Sequence, residues 1–191
     1  MTGLKRCTSI FSNAMLAALC LFLPAICAAQ GGLNWPSLKN EIRAKFPSAQ
    51  QLSTQALADW FAFADSTQPV VLDVREKKEF KVSHLKGARR ARSKKNALKI
   101  LQGLAKDHPI VAYCSVGYRS SELVEKLQQD GYTNVYNLEG SIFEWANENR
   151  PVYAGEKLVE RVHPYNKKWG QLLEKKFWEK SHSRDKDRAD R

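Results

Sequence analysis

Three short segments, the first two of them apolar runs, constrain what this chain can fold into: Pro69-Val70-Val71-Leu72-Asp73-Val74, Ile110-Val111-Ala112-Tyr113 and Asn134-Val135-Tyr136-Asn137-Leu138. Each has the length of a strand. The first lacks the in-and-out alternation of a half-exposed strand and reads as one buried on both faces. Helical spacing fills the intervals. Ser53 reads as an N-cap for a helix carrying Leu57, Trp60, Phe61 and Ala64. Residues 93–106 space Ala97, Leu98, Ile100, Leu101, Leu104 and Ala105 as a helix. Residues 120–129 turn Leu123, Val124 and Leu127 inward and stop at Gly131, and residues 142–149 form a last core helix. Residues 87–92 suit a short strand, although their arginines do not suit a central one. Strands alternating with helices imply βαβ units, hence an α/β three-layer architecture: a mostly parallel sheet with helices on both faces, spanning residues 48–155.

The flanks read differently. Lys5 and Arg6 precede the apolar stretch 14–23; Pro24 breaks it, and Cys27-Ala28-Ala29 supplies small residues for signal peptidase. Residues 1–29 therefore read as a signal peptide cut after Ala29, with an uncleaved anchor helix as the alternative, and the mature chain is expected in the periplasm or secreted. Residues 30–47 read as a linker with a short amphipathic helix (Leu38, Ile42, Phe46). Residues 156–191 form a basic extension. In it Trp169, Leu172, Leu173, Phe177 and Trp178 fall at helical spacing, expected to pack back on the core, with a membrane-surface role as the alternative. The mixed-charge end from Ser181 to Arg191 is expected to be disordered.

The formal net charge is +11, and about +9 remains once Lys5 and Arg6 leave with the signal. Residues 77–99 hold ten Lys and Arg against one acid, Glu79. Such a field attracts small oxyanions, an acidic protein partner or an anionic surface, or is simply a solvated face. Nucleic acid is not an expected partner for an exported chain.

Cleavage also removes Cys7, Cys20 and Cys27, so Cys114 remains as a single thiol in an oxidising compartment. It is either a buried, inert cysteine or a used one. Its company favours use. It ends the apolar run 110–113, where ligands of parallel α/β sheets sit. The following Ser115-Val116-Gly117-Tyr118-Arg119-Ser120 can curl backbone N–H groups toward the sulfur at a helix N-terminus, and Arg119 adds a fixed cation. Both effects favour thiolate over thiol.

Asp73-Val74-Arg75, Glu79-Phe80, His84-Leu85-Lys86-Gly87-Ala88, Tyr113-Cys114-Ser115-Val116-Gly117-Tyr118-Arg119-Ser120 and Asn137-Leu138-Glu139-Gly140-Ser141-Ile142-Phe143-Glu144-Trp145, in that order, resemble a single rhodanese (sulfurtransferase) domain of the exported bacterial type. The segment Val162-His163-Pro164-Tyr165-Asn166, with Trp169-Gly170, is similar to a tail of some bacterial single-domain members. The resemblance implies that Cys114 accepts a sulfane sulfur as a persulfide from an anionic donor and passes it to cyanide or a thiol. It implies a cradle of amides from Ser115, Val116, Gly117, Tyr118, Arg119 and Ser120. Asp73, Arg75, Glu79 and His84 are implied as structural supports of that loop. Ser115 and Tyr118 stand where members active on thiosulfate carry positive charges, which leaves a thiosulfate and a persulfide donor equally open.

A protein phosphatase of the same fold is a distant third reading, after a non-turnover persulfide carrier or redox module. Such phosphatases place five residues between Cys and Arg, whereas Cys114 and Arg119 are separated by four. The four His are scattered with no ligand spacing, so neither a metal nor a cofactor is expected.

Overall fold

The computed structural model describes residues 32–63 and 67–178. The expected signal peptide, Ala64 and the charged end after Trp178 lie outside the described residues. The elements run α1 (Trp35–Lys45), β1 (Gln50–Leu52), α2 (Thr54–Ala62), β2 (Val70–Asp73), α3 (Lys77–Val82), β3 (Arg89–Arg90), α4 (Lys94–Ile100), β4 (Ile110–Tyr113), α5 (Tyr118–Gln129), β5 (Val135–Leu138), α6 (Ser141–Asn147), β6 (Val152–Ala154) and β7 (Lys157–Val159). Two 3₁₀ turns, Trp169–Leu172 and Lys175–Phe177, follow.

Five strands form one parallel sheet in the order β1-β5-β4-β2-β3. β4 lies at its centre with all four residues buried, as an uninterrupted apolar run requires. β3 has both arginines exposed and takes an edge, where charge discourages further strand pairing. The other edge is β1, whose Gln50-Gln51-Leu52 carries no strand pattern and becomes a strand by pairing with Tyr136, Asn137 and Leu138. The helices pack in pairs, α2 with α6 and α4 with α5.

Three sequence expectations need correction. The helix expected over 93–106 is α4, capped by Ser93 through Asn96 N–H, and it stops at Leu101; Gly103, at φ +84°, turns the chain away. The helix expected from Ser120 begins two residues earlier, at Tyr118. The aromatic stretch 169–178 is no α-helix. The chain becomes extended at Leu173 (φ −100°, ψ 128°), because Asn147 of α6 takes the backbone groups on either side: its Nδ2 donates to Leu172 O (2.8 Å) and its Oδ1 accepts from Glu174 N (2.9 Å). Leu172, Leu173 and Val162 are buried, so this extension packs into the same core. The short amphipathic helix expected within 30–47 is α1: it buries Leu38 and Ile42, and Phe46 packs edge-on to Tyr118 with ring centroids 5.0 Å apart.

Candidate functional site

β4 ends at Tyr113, and the chain turns into α5 across only Cys114-Ser115-Val116-Gly117. Gly117 makes this possible. As the N-cap of α5 it sits at φ +109°, and a Cβ there would press on Asn137 Nδ2 at 3.3 Å and Ile42 Cδ1 at 3.6 Å. The tight turn sets Tyr118, Arg119 and Ser120 in the first helical turn, whose N–H groups lack helical partners. Cys114 sits at the focus. Gly117 N–H donates to its Sγ (3.2 Å), and Ser120 presents both its backbone N–H and its hydroxyl. That hydroxyl also lies 3.2 Å from Gly117 O.

Cys114 is 1% exposed, yet it lines a cavity of about 140 Å³ shared with Ser115, Val116, Tyr118, Arg119, Tyr165 and Trp169. Burial pushes the thiol pKa up. The Arg119 guanidinium, followed by the Ser120 and Gly117 hydrogen bonds, outweighs burial and holds it below the ordinary thiol value. A testable consequence follows. Acid protonates the sulfur only once pH falls through that lowered value, so the iodoacetamide alkylation rate should keep its plateau to lower pH than a model thiol. Arg119→Gln should move the midpoint upward; an unshifted midpoint would show that Arg119 does not hold the charge.

Glu79 of α3 organises the outer side. Its carboxylate accepts from Arg119 Nη1 (3.1 Å) and Nη2 (3.0 Å), and Ser115 Oγ donates to it (3.0 Å). Burial alone would raise the Glu79 pKa, but Arg119 lowers it below the usual carboxylate range. The Ser115 hydroxyl is therefore committed to Glu79, Tyr118 stands exposed, and Val116 is a buried part of the cavity lining.

Of the four expected loop supports, Glu79 alone touches the loop. Asp73 and Arg75 act one residue back: Arg75 Nη2 donates to Asp73 Oδ2 (2.6 Å), and Tyr113 Oη donates to the same oxygen (2.6 Å). This pair fixes the end of β4, from which Cys114 emerges. His84 does not support the loop. Its ring stacks on Phe80 (4.2 Å) with Nδ1 3.2 Å from Phe80 O, and its backbone exchanges hydrogen bonds with Tyr153 of β6, so it ties α3 to the β6–β7 hairpin. The stacking partner four residues earlier occupies its polar edge.

Two contributors had no assigned role in the sequence. Ser141, at φ +51° at the start of α6, accepts Cys114 N–H on Oγ (3.1 Å) and donates to Leu138 O (3.0 Å). Tyr165 and Trp169 of the extension line the cavity, and the Tyr165 ring lies over Arg119 with centroid to Cζ 4.8 Å. The quoted Leu138-Glu139-Gly140-Ser141 run was the available signal for Ser141, and the quoted segment from Val162 to Asn166 with Trp169-Gly170 was the signal for the extension, though neither showed that these residues reach the loop.

The family model for the rhodanese-like domain matches residues 56–148. Over 104 residues the chain is 32% identical to the probable adenylyltransferase/sulfurtransferase MoeZ of Mycobacterium tuberculosis, covering 52% of this chain and 25% of that protein. Over 53 residues it is 42% identical to a sulfurtransferase of Allochromatium vinosum, covering 28% of this chain and half of that one. The chain thus spans no more than about half the length of either relative. A crystal structure of thiosulfate sulfurtransferase from Pseudomonas aeruginosa superposes with a TM-score of 0.54 at 16% identity, over 73% of this chain and 27% of that one, a likeness of fold. The amide-cradled cysteine at the end of the central strand and the matched residues 56–148 agree: that part of the chain is a rhodanese-like domain.

Proposed function

We propose that this protein is a sulfurtransferase that carries a sulfane sulfur on Cys114 as a persulfide. One observation carries the reading: Cys114, whose thiol pKa Arg119 and the loop hydrogen bonds lower against burial, lines a small cavity together with Arg119. The thiolate attacks the outer sulfur of an anionic donor such as thiosulfate. A Cys114–S bond forms, the donor S–S bond breaks, and sulfite leaves with the electron pair. A thiophile such as cyanide then attacks the terminal sulfur and restores the thiolate. The added sulfur bears the charge in the persulfide, where the first-turn amides of α5 and Arg119 can hold it. The relatives named as sulfurtransferases support the same chemistry.

Phosphate-ester hydrolysis is less well supported. Glu79 is the carboxylate beside the loop, but its pairing with Arg119 keeps it ionised, so it has no proton to give a leaving alkoxide. The leader read over residues 1–29 puts the reaction in an exported compartment. Protein lacking residues 1–29 is expected to form thiocyanate from thiosulfate and cyanide through many turnovers, and to gain the mass of one sulfur atom when treated with donor alone. Mass gain without turnover would make the protein a carrier. Hydrolysis of an aryl phosphate with no sulfur uptake would overturn sulfur transfer.

A further inference from the structure

The extension reaches the sulfur through a chain of fixed contacts. Leu172 and Leu173 are buried, and Asn147 clamps the backbone around them. Gly170 lets Trp178 and Pro164 close on it: a Cβ there would meet the Trp178 ring at 2.9 Å and Pro164 Cβ at 3.1 Å. Upstream, Tyr165 is held at φ +62°, an unusual conformation for a bulky residue, with its N–H donated to His163 Nδ1 (3.0 Å). Asn166 Oδ1 accepts Trp169 N–H (3.0 Å). The result aims two aromatic side chains at the cavity from a segment outside the matched domain, residues 56–148.

The lining is chemically one-sided. Val116, Tyr118, Tyr165 and Trp169 supply apolar wall. Ser115 is turned to Glu79, and Arg119 is shared among Glu79, the Cys114 thiolate and the Tyr165 face. One guanidinium against two anionic side chains leaves the pocket with no spare positive side chain among its lining residues for a second charge on the substrate. The exposed Lys168, its ammonium 5.3 Å from the Trp169 ring, attracts any anion and does not discriminate between them.

Resting on the sulfur-transfer reading above, we propose that Tyr165 and Trp169 determine donor specificity, selecting a sulfane donor with an apolar organic body and a single negative charge over the inorganic thiosulfate dianion. An aromatic thiosulfonate, R–SO₂–S⁻, is the chemical class that fits. Its sulfane sulfur reaches Cys114 Sγ while R lies against the two rings. The Cys114 thiolate attacks that sulfur, the new S–S bond forms, the sulfonyl–sulfur bond breaks, and the sulfinate R–SO₂⁻ departs with the electron pair. No proton, oxidant or reductant is consumed.

The test compares kcat/KM for benzenethiosulfonate and for thiosulfate, with cyanide as acceptor, in wild type, Trp169→Ala, Trp169→Phe and Tyr165→Leu. The donors differ in intrinsic reactivity, so the readout is how their ratio changes between variants. The ratio is expected to fall about tenfold in Trp169→Ala, mostly through KM of the organic donor, a size typical of one lost apolar pocket contact. Trp169→Phe should recover most of it. Tyr165→Leu, at an exposed position that the buried anchor does not need, should fall similarly and covers the case in which Trp169→Ala misfolds. A ratio unchanged in Trp169→Ala and Tyr165→Leu, with sulfur still loaded, overturns the specificity role alone. Wild-type protein that takes sulfur from neither donor overturns sulfur transfer and this proposal together.

Discussion

Cys114→Ala is expected to abolish sulfur loading and thiocyanate formation completely while leaving the unfolding free energy within about 1 kcal/mol of wild type. No other described cysteine can take over, since Cys114 is the free thiol of the described residues. The modest stability effect is the less obvious half. Removing the sulfur deletes a small buried group and leaves the Gly117 and Ser120 donors without their acceptor, both unfavourable. It also removes a buried negative charge, and the adjoining cavity lets water reach the freed donors. Arg119 keeps its Glu79 partner, so no cation is stranded. The pH dependence has a definite sign. The native thiol ionises below its unfolded value, so its contribution to stability is present above the unfolded pKa and is lost as pH falls through the lowered native one. The wild-type advantage over the alanine variant should therefore shrink on acidification. Denaturant titrations of both proteins at several pH values check this, and a variant destabilised by more than about 3 kcal/mol would mean that the thiolate braces the loop.

Asp73→Ala is expected to cost about 3–5 kcal/mol, the scale for stranding one member of a buried ion pair, against a total of about 5–15 kcal/mol for a domain. Arg75 is fully buried, and Asp73 accepts its Nε and Nη2 as well as its own backbone N–H. Burial works against the guanidinium charge, and the Asp73 carboxylate keeps it protonated. Without that carboxylate a buried cation retains one Nη2 bond to the Ser83 carbonyl and the face of Tyr113. Tyr113 Oη loses its acceptor at the same time, although it still receives Leu85 N–H. The double variant Asp73→Leu, Arg75→Met removes both charges and should recover much of the loss. A shift under about 1 kcal/mol for Asp73→Ala would show that water or Glu79 compensates the guanidinium.

The parts legible in the sequence are those whose signal is local. β2 and β4 announced themselves as apolar runs of strand length, and β5 was expected as the third strand. Ser53 read as an N-cap and is one. The arginines of 89–90 pointed to a poor central strand, and β3 is an edge. β1 was invisible because two glutamines and a leucine have no strand preference apart from the partner β5 provides. The start of α5 was placed two residues late, at Ser120, because Gly117 reached the left-handed conformation and capped the helix without a side chain. The periodicity of 169–178 was genuine, but Asn147 offered the backbone better partners than another helical turn would.

Residues 110–120 by themselves determined that a cysteine would end a buried strand at the mouth of an amide-lined turn, because a four-residue apolar strand, one glycine and a following helix are encoded over a few adjacent positions. Only the tertiary structure decided how that sulfur is walled. Glu79 fixes Arg119 from α3, Ser141 holds the Cys114 amide from α6, and Tyr165 and Trp169 reach the cavity from the far end of the chain. Such contacts depend on how the core brings distant segments together, and packing geometry of that kind leaves no periodic mark on the sequence of either partner.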